Sequence, residues 1–289
     1  MTENVQKLTR IMDEQNNRSI PEFEGYSPIE MEFILYDVFS EKSPIHLQKL
    51  TDADYKSIPL LNMIKYLAVS ISENGEIKLT STGALPTKIV ADIYGKGFFK
   101  DEAIESGVSK LSKETDSMSI NLTRILIELT GLAKKRNGKL SITKNGDKIL
   151  CDDFETLRLI FSTFATKFNW AYYDAFDEKR TGQLGFGFSL ILLSKYGNIK
   201  RTGDFYSEKY FKAFPMLLKG FSDPYYDAVE KMATHCYSVR TFERFLNYFN
   251  LIEIENNMKE RNIHITKTVL FDKFIKCLPH RKHDFLKMR

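Results

Sequence analysis

Lys134, Lys135, Arg136, Lys139, Lys144 and Lys148 crowd into one stretch of chain against a single acid, Asp147. Cationic side chains at that density suit the phosphates of a nucleic acid. Asn121 and Arg124 lie just upstream, and their amide and guanidinium groups are those that pair with adenine and guanine edges. The plain alternative is a solvated basic hairpin, which many soluble proteins carry. Other constellations are weaker. Cys277, His280 and His283 have zinc-like spacing, but no second Cys/His pair completes a tetrahedral site, so no metal is expected. Asp174 and Asp177 beside Trp170, Tyr172 and Tyr173 could line a small-molecule pocket, although such a cluster is more often a helix end with solvated acids. Gly182, Gly185 and Gly187 lack the Lys-Ser/Thr of a phosphate loop. No Ser/His/Asp or Cys/His pattern stands out, and no cofactor is expected.

The elements that must present the cations are readable around them. Leu122, Ile125, Leu126, Leu129 and Leu132 fall at helical spacing, and Gly131 supplies a C-terminal stop. Asn137-Gly138 is a two-residue hairpin signal, because both positions accept positive φ. Leu140 and Ile142 alternate with Lys139 and Ser141 as in a half-buried strand, and Thr143 can cap the next helix. Two echoes suggest related units. Leu67–Gly83 aligns without a gap against Thr130–Gly146, with Asn74-Gly75 on Asn137-Gly138. Phe242, Phe245, Leu246, Phe249 and Ile252 repeat the spacing of Leu122 to Leu132. The wings implied by those echoes are not basic: Ser72 to Glu76 is acidic, and Glu253 to Arg261 mixes both signs.

The chain has 289 residues, enough for one to three domains, and a 43% hydrophobic content with 22 Phe argues for a packed core over disorder. No apolar run is long enough to span a bilayer, and the N-terminus lacks the apolar core of a signal peptide, so no membrane contact and a cytoplasmic address are expected. Three widely spaced cysteines point to reduced thiols. The net charge of +4 is small, but the first 60 residues carry eleven acids against six bases, which leaves the rest of the chain at +9. Such a basic body fits a polyanion partner or a self-docking acidic arm.

Leu122 to Leu132, the Asn137-Gly138 hairpin and Leu140 to Gly146 resemble the winged-helix superfamily, as does the C-terminal unit. Gly25 to Met31 and Leu79 to Pro86 also look like segments of a group of bacterial proteins, a resemblance that implies no activity. The superfamily resemblance implies DNA binding as the commonest role, with protein contact as the other. The expected fold is mainly α with small β-hairpins (α+β), with two or three winged-helix-like units joined by a helical middle. The expected divisions are an N-terminal helical segment over 1–50, units over 51–100 and 101–152, the middle over 153–222, and a third unit over 223–289. The leading expectation is a non-enzymatic nucleic-acid-binding or regulatory protein. Asn121 and Arg124 would read duplex DNA, and Lys134, Lys135, Arg136, Lys139 and Lys144 would hold its phosphates. The alternative is a scaffold whose modules contact another protein. Oligomeric state is not indicated.

Overall fold

The computed structural model describes residues 3–221, 228–257 and 262–280 and is 57% helical with small antiparallel sheets, the mainly α, α+β class expected. The chain forms two compact units: residues 49–169 with 244–251, and residues 1–48, 170–243 and 252–289. In the second of these, α1 (Glu3–Asn16) and α2 (Pro28–Tyr36) are followed by the short strand β1 (Ile45–Leu47). Ser27 opens α2 with a full capping box. Its hydroxyl accepts from Glu30 N, and Glu30 Oε2 accepts from Ser27 N at 2.8 Å, with Pro28 in the first turn.

The other unit starts with α3 (Asp52–Lys56) and α4 (Pro59–Glu73). Leu60, Leu61, Ile64, Leu67, Ala68 and Ile71 make α4 a helix with one buried face. Then come the strand β2 (Ile77–Lys78), α5 (Thr87–Gly95), the short α6 (Glu102–Glu105) and α7 (Met118–Leu129). The strands β3 (Ala133–Arg136) and β4 (Lys139–Ile142) form the expected hairpin, turning at Asn137 (φ 51°) and Gly138 (φ 69°). Thr143 caps α8 (Lys144–Leu150) by accepting from Gly146 N at 2.8 Å, and Asp152 caps α9 (Asp153–Thr166).

The sheet here has the order β2-β4-β3, which changes the domain reading. The alignment of Leu67–Gly83 with Thr130–Gly146 placed a second hairpin at Asn74-Gly75. Instead, the residues before Asn74 are the last turns of α4, because their apolar positions recur every three or four residues and not every second one. With no arm of its own to pair with, β2 pairs with β4, Ile77 opposite Leu140 and Lys78 opposite Lys139. Residues 51–100 and 101–152 are therefore halves of one module, not two units.

The remaining elements are α10 (Phe186–Tyr196), β5 (Arg201–Thr202), α11 (Gly203–Ala213) and α12 (Ala228–Ser238), which runs on as a π turn over Val239–Glu243. After them come β6 (Ile252–Asn257), β7 (Asn262–Lys267), α13 (Val269–Phe274) capped by Thr268, and β8 (Ile275–Cys277), which pairs with β1. Their sheet order is β5-β7-β6. Helix, strand, helices, strand, strand, with the last strand in the middle of the sheet, thus occurs twice: from α4 to β4, where α5, α6 and α7 stand between the strands, and from α10 to β7, where α11 and α12 do. The second copy begins at residue 186, not 223, and the expected helical middle is divided, α9 going to one unit and α10 and α11 to the other. Lys259 to Arg261 of the last wing, and Arg281, Lys282, Lys287 and Arg289, lie outside the described residues.

Two predictions follow from this packing. A Cβ on Gly146 would run into the backbone carbonyl of Leu132, which cannot step aside without losing its hydrogen bond from Thr143 N. Gly146→Ala is expected to lower unfolding free energy by about 1–3 kcal/mol in a denaturant titration. In the other unit, burial pushes the Glu24 carboxyl up, but Tyr196 OH at 2.6 Å and the Lys209 and Lys195 ammonium groups outweigh it and hold its pKa below the ordinary 4.5. A lowered folded pKa means its stabilisation is present above the ordinary value and is lost as pH falls through the folded one. Acid unfolding of Glu24→Gln should therefore show a shallower loss of stability below pH ~4.5 than the parent.

Candidate nucleic-acid interface

The register of the β2-β4-β3 sheet sorts the basic residues by face. Ile77, Leu140 and Lys135 share the inner face, where Leu140 is fully buried and Ile77 nearly so. Lys135 extends past this apolar pair to the Gly83 backbone. On the outer face, Lys78, Lys139 and Arg136 stand abreast across the three strands, and Lys134 and Ser141 form the adjacent rung. All of these cations are exposed. Lys134, Arg136, Lys139, Asn137 and Ser141, together with Glu76, line an open concavity of about 320 Å³. Glu76 pairs with Lys139, both side chains being about half exposed. Lys144 and Lys148 are exposed on α8.

Like charges directly opposite one another across strands are destabilising. A rung of Lys78, Lys139 and Arg136 is therefore unfavourable unless an anion neutralises it. The rung was not visible in sequence, because Lys78 followed an acidic stretch and was assigned to a different module. Its signal is the alternation of Glu76, Ile77 and Lys78 about one buried residue.

The proposed base readers are not available. Asn121 and Arg124 belong to α7, of whose residues most are buried on every side. Asn121 Nδ2 donates to Glu114 Oε1 at 2.6 Å, while Glu114 Oε2 accepts from Leu85 N at 2.7 Å. Arg124 pairs with Glu128 and donates from Nη2 to Gly83 O at 3.3 Å. Burial pushes the Arg124 pKa down, only partly countered by Glu114. The spacing of the apolar residues along α7 predicts a single buried stripe with a free polar side. The chain segments around Gly83 and Glu114 cover that side, so Asn121 and Arg124 bind the protein to itself and reach no base.

The aromatic–acid cluster has a structural occupation too. Asp174 accepts from Arg240 Nε at 2.7 Å and Nη2 at 2.9 Å, and the Arg240 side chain is fully buried. Arg240 also donates to Glu178 O at 2.9 Å and Thr181 O at 3.2 Å. Burial pushes the guanidinium pKa down, but the Asp174 hydrogen bonds and the Glu178 carboxylate outweigh that and hold it above its ordinary value. Sequence reading missed Arg240, which sits sixty-six residues from its partner. His280 Nδ1 lies 2.6 Å from Glu30 Oε2, His283 is outside the described residues, and no cluster of three metal-ligating side chains occurs among those described. Cys236 is buried, and burial pushes its thiol up to about 12, which leaves it inert as a nucleophile. Replacing Arg240 with Met takes from the buried Asp174 carboxylate its two guanidinium hydrogen bonds and their positive charge. The expected loss is about 3–5 kcal/mol of unfolding free energy, read by denaturant titration.

Over residues 56–155, which run from just before α4 to the start of α9, the chain matches the family model described as the Y4jL N-terminal domain. The match thus takes in the whole first module with its cationic sheet. No curated protein and no solved structure matches the chain.

Proposed function

We propose that this protein binds nucleic acid through the phosphate backbone, without reading bases, and that residues 59–142 are a winged-helix module acting through its sheet. The observation that carries the reading is the rung Lys78–Lys139–Arg136 with Lys134 beside it, all on an exposed and partly concave face. Cations held abreast on a sheet present a row of positive charge to a phosphate backbone, and releasing counterions from that polyanion supplies the binding free energy. The order of helices and strands from α4 to β4, with β2 against β4, supports the winged-helix assignment. Burial of α7 argues that the wing, and not the helix before it, is the contact, so sequence preference is expected to be weak. Lys144 adds a further exposed charge on the same module. We further place the protein in a reducing compartment, the cytoplasm, because Cys151, Cys236 and Cys277 are all unpaired.

For the second module a protein-contact role is favoured. The outer face of its sheet carries Glu253 and Glu255 in place of cations, with Lys200 bound to Glu255 at 2.6 Å. Such a face repels phosphate and suits a basic partner. No helix among the described residues is long and apolar enough to cross a membrane.

Binding of random-sequence duplex DNA across a salt series tests the proposal. The parent protein should lose affinity steeply with salt. The variant K134A/R136A/K139A should bind at least tenfold more weakly at low salt and show a log–log slope shallower by roughly two to three. Unchanged affinity in that variant, with an unaltered thermal midpoint, would reject the sheet as the contact.

A further inference from the structure

Glu76 is the one carboxylate in the lining of the cationic concavity. It lies two residues before Lys78, just ahead of β2, and reaches across to the Lys139 ammonium, the central charge of the rung. A carboxylate placed there occupies the position at which a phosphate oxygen would meet Lys139. We infer that Glu76 is an internal counter-anion that tunes the affinity of this face: it neutralises Lys139, the central charge of the rung, in the free protein and must leave it before a backbone phosphate can engage it. The inference rests on the nucleic-acid reading above and adds to it the residue that limits binding.

The physical consequence differs from that of a generic surface acid. In the free protein Lys139 is neutralised by Glu76, so a phosphate that engages Lys139 sheds its own condensed counterion but leaves Glu76 a bare carboxylate that attracts a cation, and the net ion release at that contact is small. Both partners are about half exposed, so the exchange is reversible and its cost is small. Removing the carboxylate while keeping its shape frees Lys139, and the competition ends.

The test compares Glu76→Gln with Glu73→Gln, which removes an equal charge from the exposed last residue of α4, outside the concavity. Each is titrated with random-sequence duplex DNA from about 50 to 200 mM salt. Glu76→Gln should bind about two- to fivefold more tightly than the parent, the range of an exposed ion pair. Its log–log salt slope should steepen by up to about 0.9, because no freed carboxylate then takes up a cation at the Lys139 contact. Glu73→Gln should stay close to the parent in both readouts. If Glu76→Gln binds like Glu73→Gln, or more weakly than the parent, Glu76 does not compete and the inference is overturned. The nucleic-acid reading survives that result provided K134A/R136A/K139A still loses binding. A parent that shows no salt-dependent binding overturns both.

Discussion

The pairing of β2 with β4 is the contact on which the cationic face depends. It is only two residues long, yet it fixes a parity: Ile77 faces in with Leu140, so Lys78 must face out beside Lys139. A slip of one residue would bury Lys78 against the helices and send Ile77 to solvent. The apolar pair resists that slip, since Leu140 is fully buried and Ile77 nearly so. Burial of two aliphatic side chains, each contributing about 1.5–3 kcal/mol, outweighs the repulsion of a cationic rung. The hydrophobic inner face thereby holds together an outer face that electrostatics alone would push apart.

Elsewhere the chain directs its polar groups inward in a consistent way. Glu114 ties a distant turn to Asn121 and to the Leu85 amide, and Arg124 closes the loop at Gly83. In the other unit Arg240 gathers Asp174, Glu178 and Thr181, while Tyr210 accepts from Gly182 N and donates to Leu184 O at 2.5 Å. Buried polar clusters of this sort stabilise little relative to apolar packing but leave few alternative arrangements, because every unmatched member is costly. Residues that look chemically ready in a linear sequence are here the fasteners of loops. What stays available for a partner is the set of cations that no loop covers.

The two modules repeat a connectivity without repeating a surface. Each sets its last strand between the other two and follows it with a Thr-capped helix, at Thr143 and at Thr268. Their outer sheet faces differ in sign: Lys78, Lys134, Arg136 and Lys139 in one, Glu253 and Glu255 with Lys200 in the other. The scaffold is indifferent to that choice because outer-face side chains contribute little to the core. Function can therefore diverge between copies at little cost in stability.

Local signals alone were sufficient for several parts. Asn137-Gly138 could only turn the chain tightly, since both residues sit at positive φ, and the alternation after it could only make a strand. The caps at Ser27 and Thr143 and the mainly helical class also follow from short-range chemistry. Three features needed the tertiary structure: which strand β2 joins, which side of α7 is covered, and which residue neutralises Asp174. Gly83 and Gly146 illustrate the limit. Aligned as equivalents, one is a loop residue at φ 81° and the other lies inside α8 against the Leu132 carbonyl. The reason is range. A turn or a cap is decided by side chains within four residues of the atoms they bond, whereas Lys78 meets Lys139, and Asp174 meets Arg240, only after the intervening chain has folded.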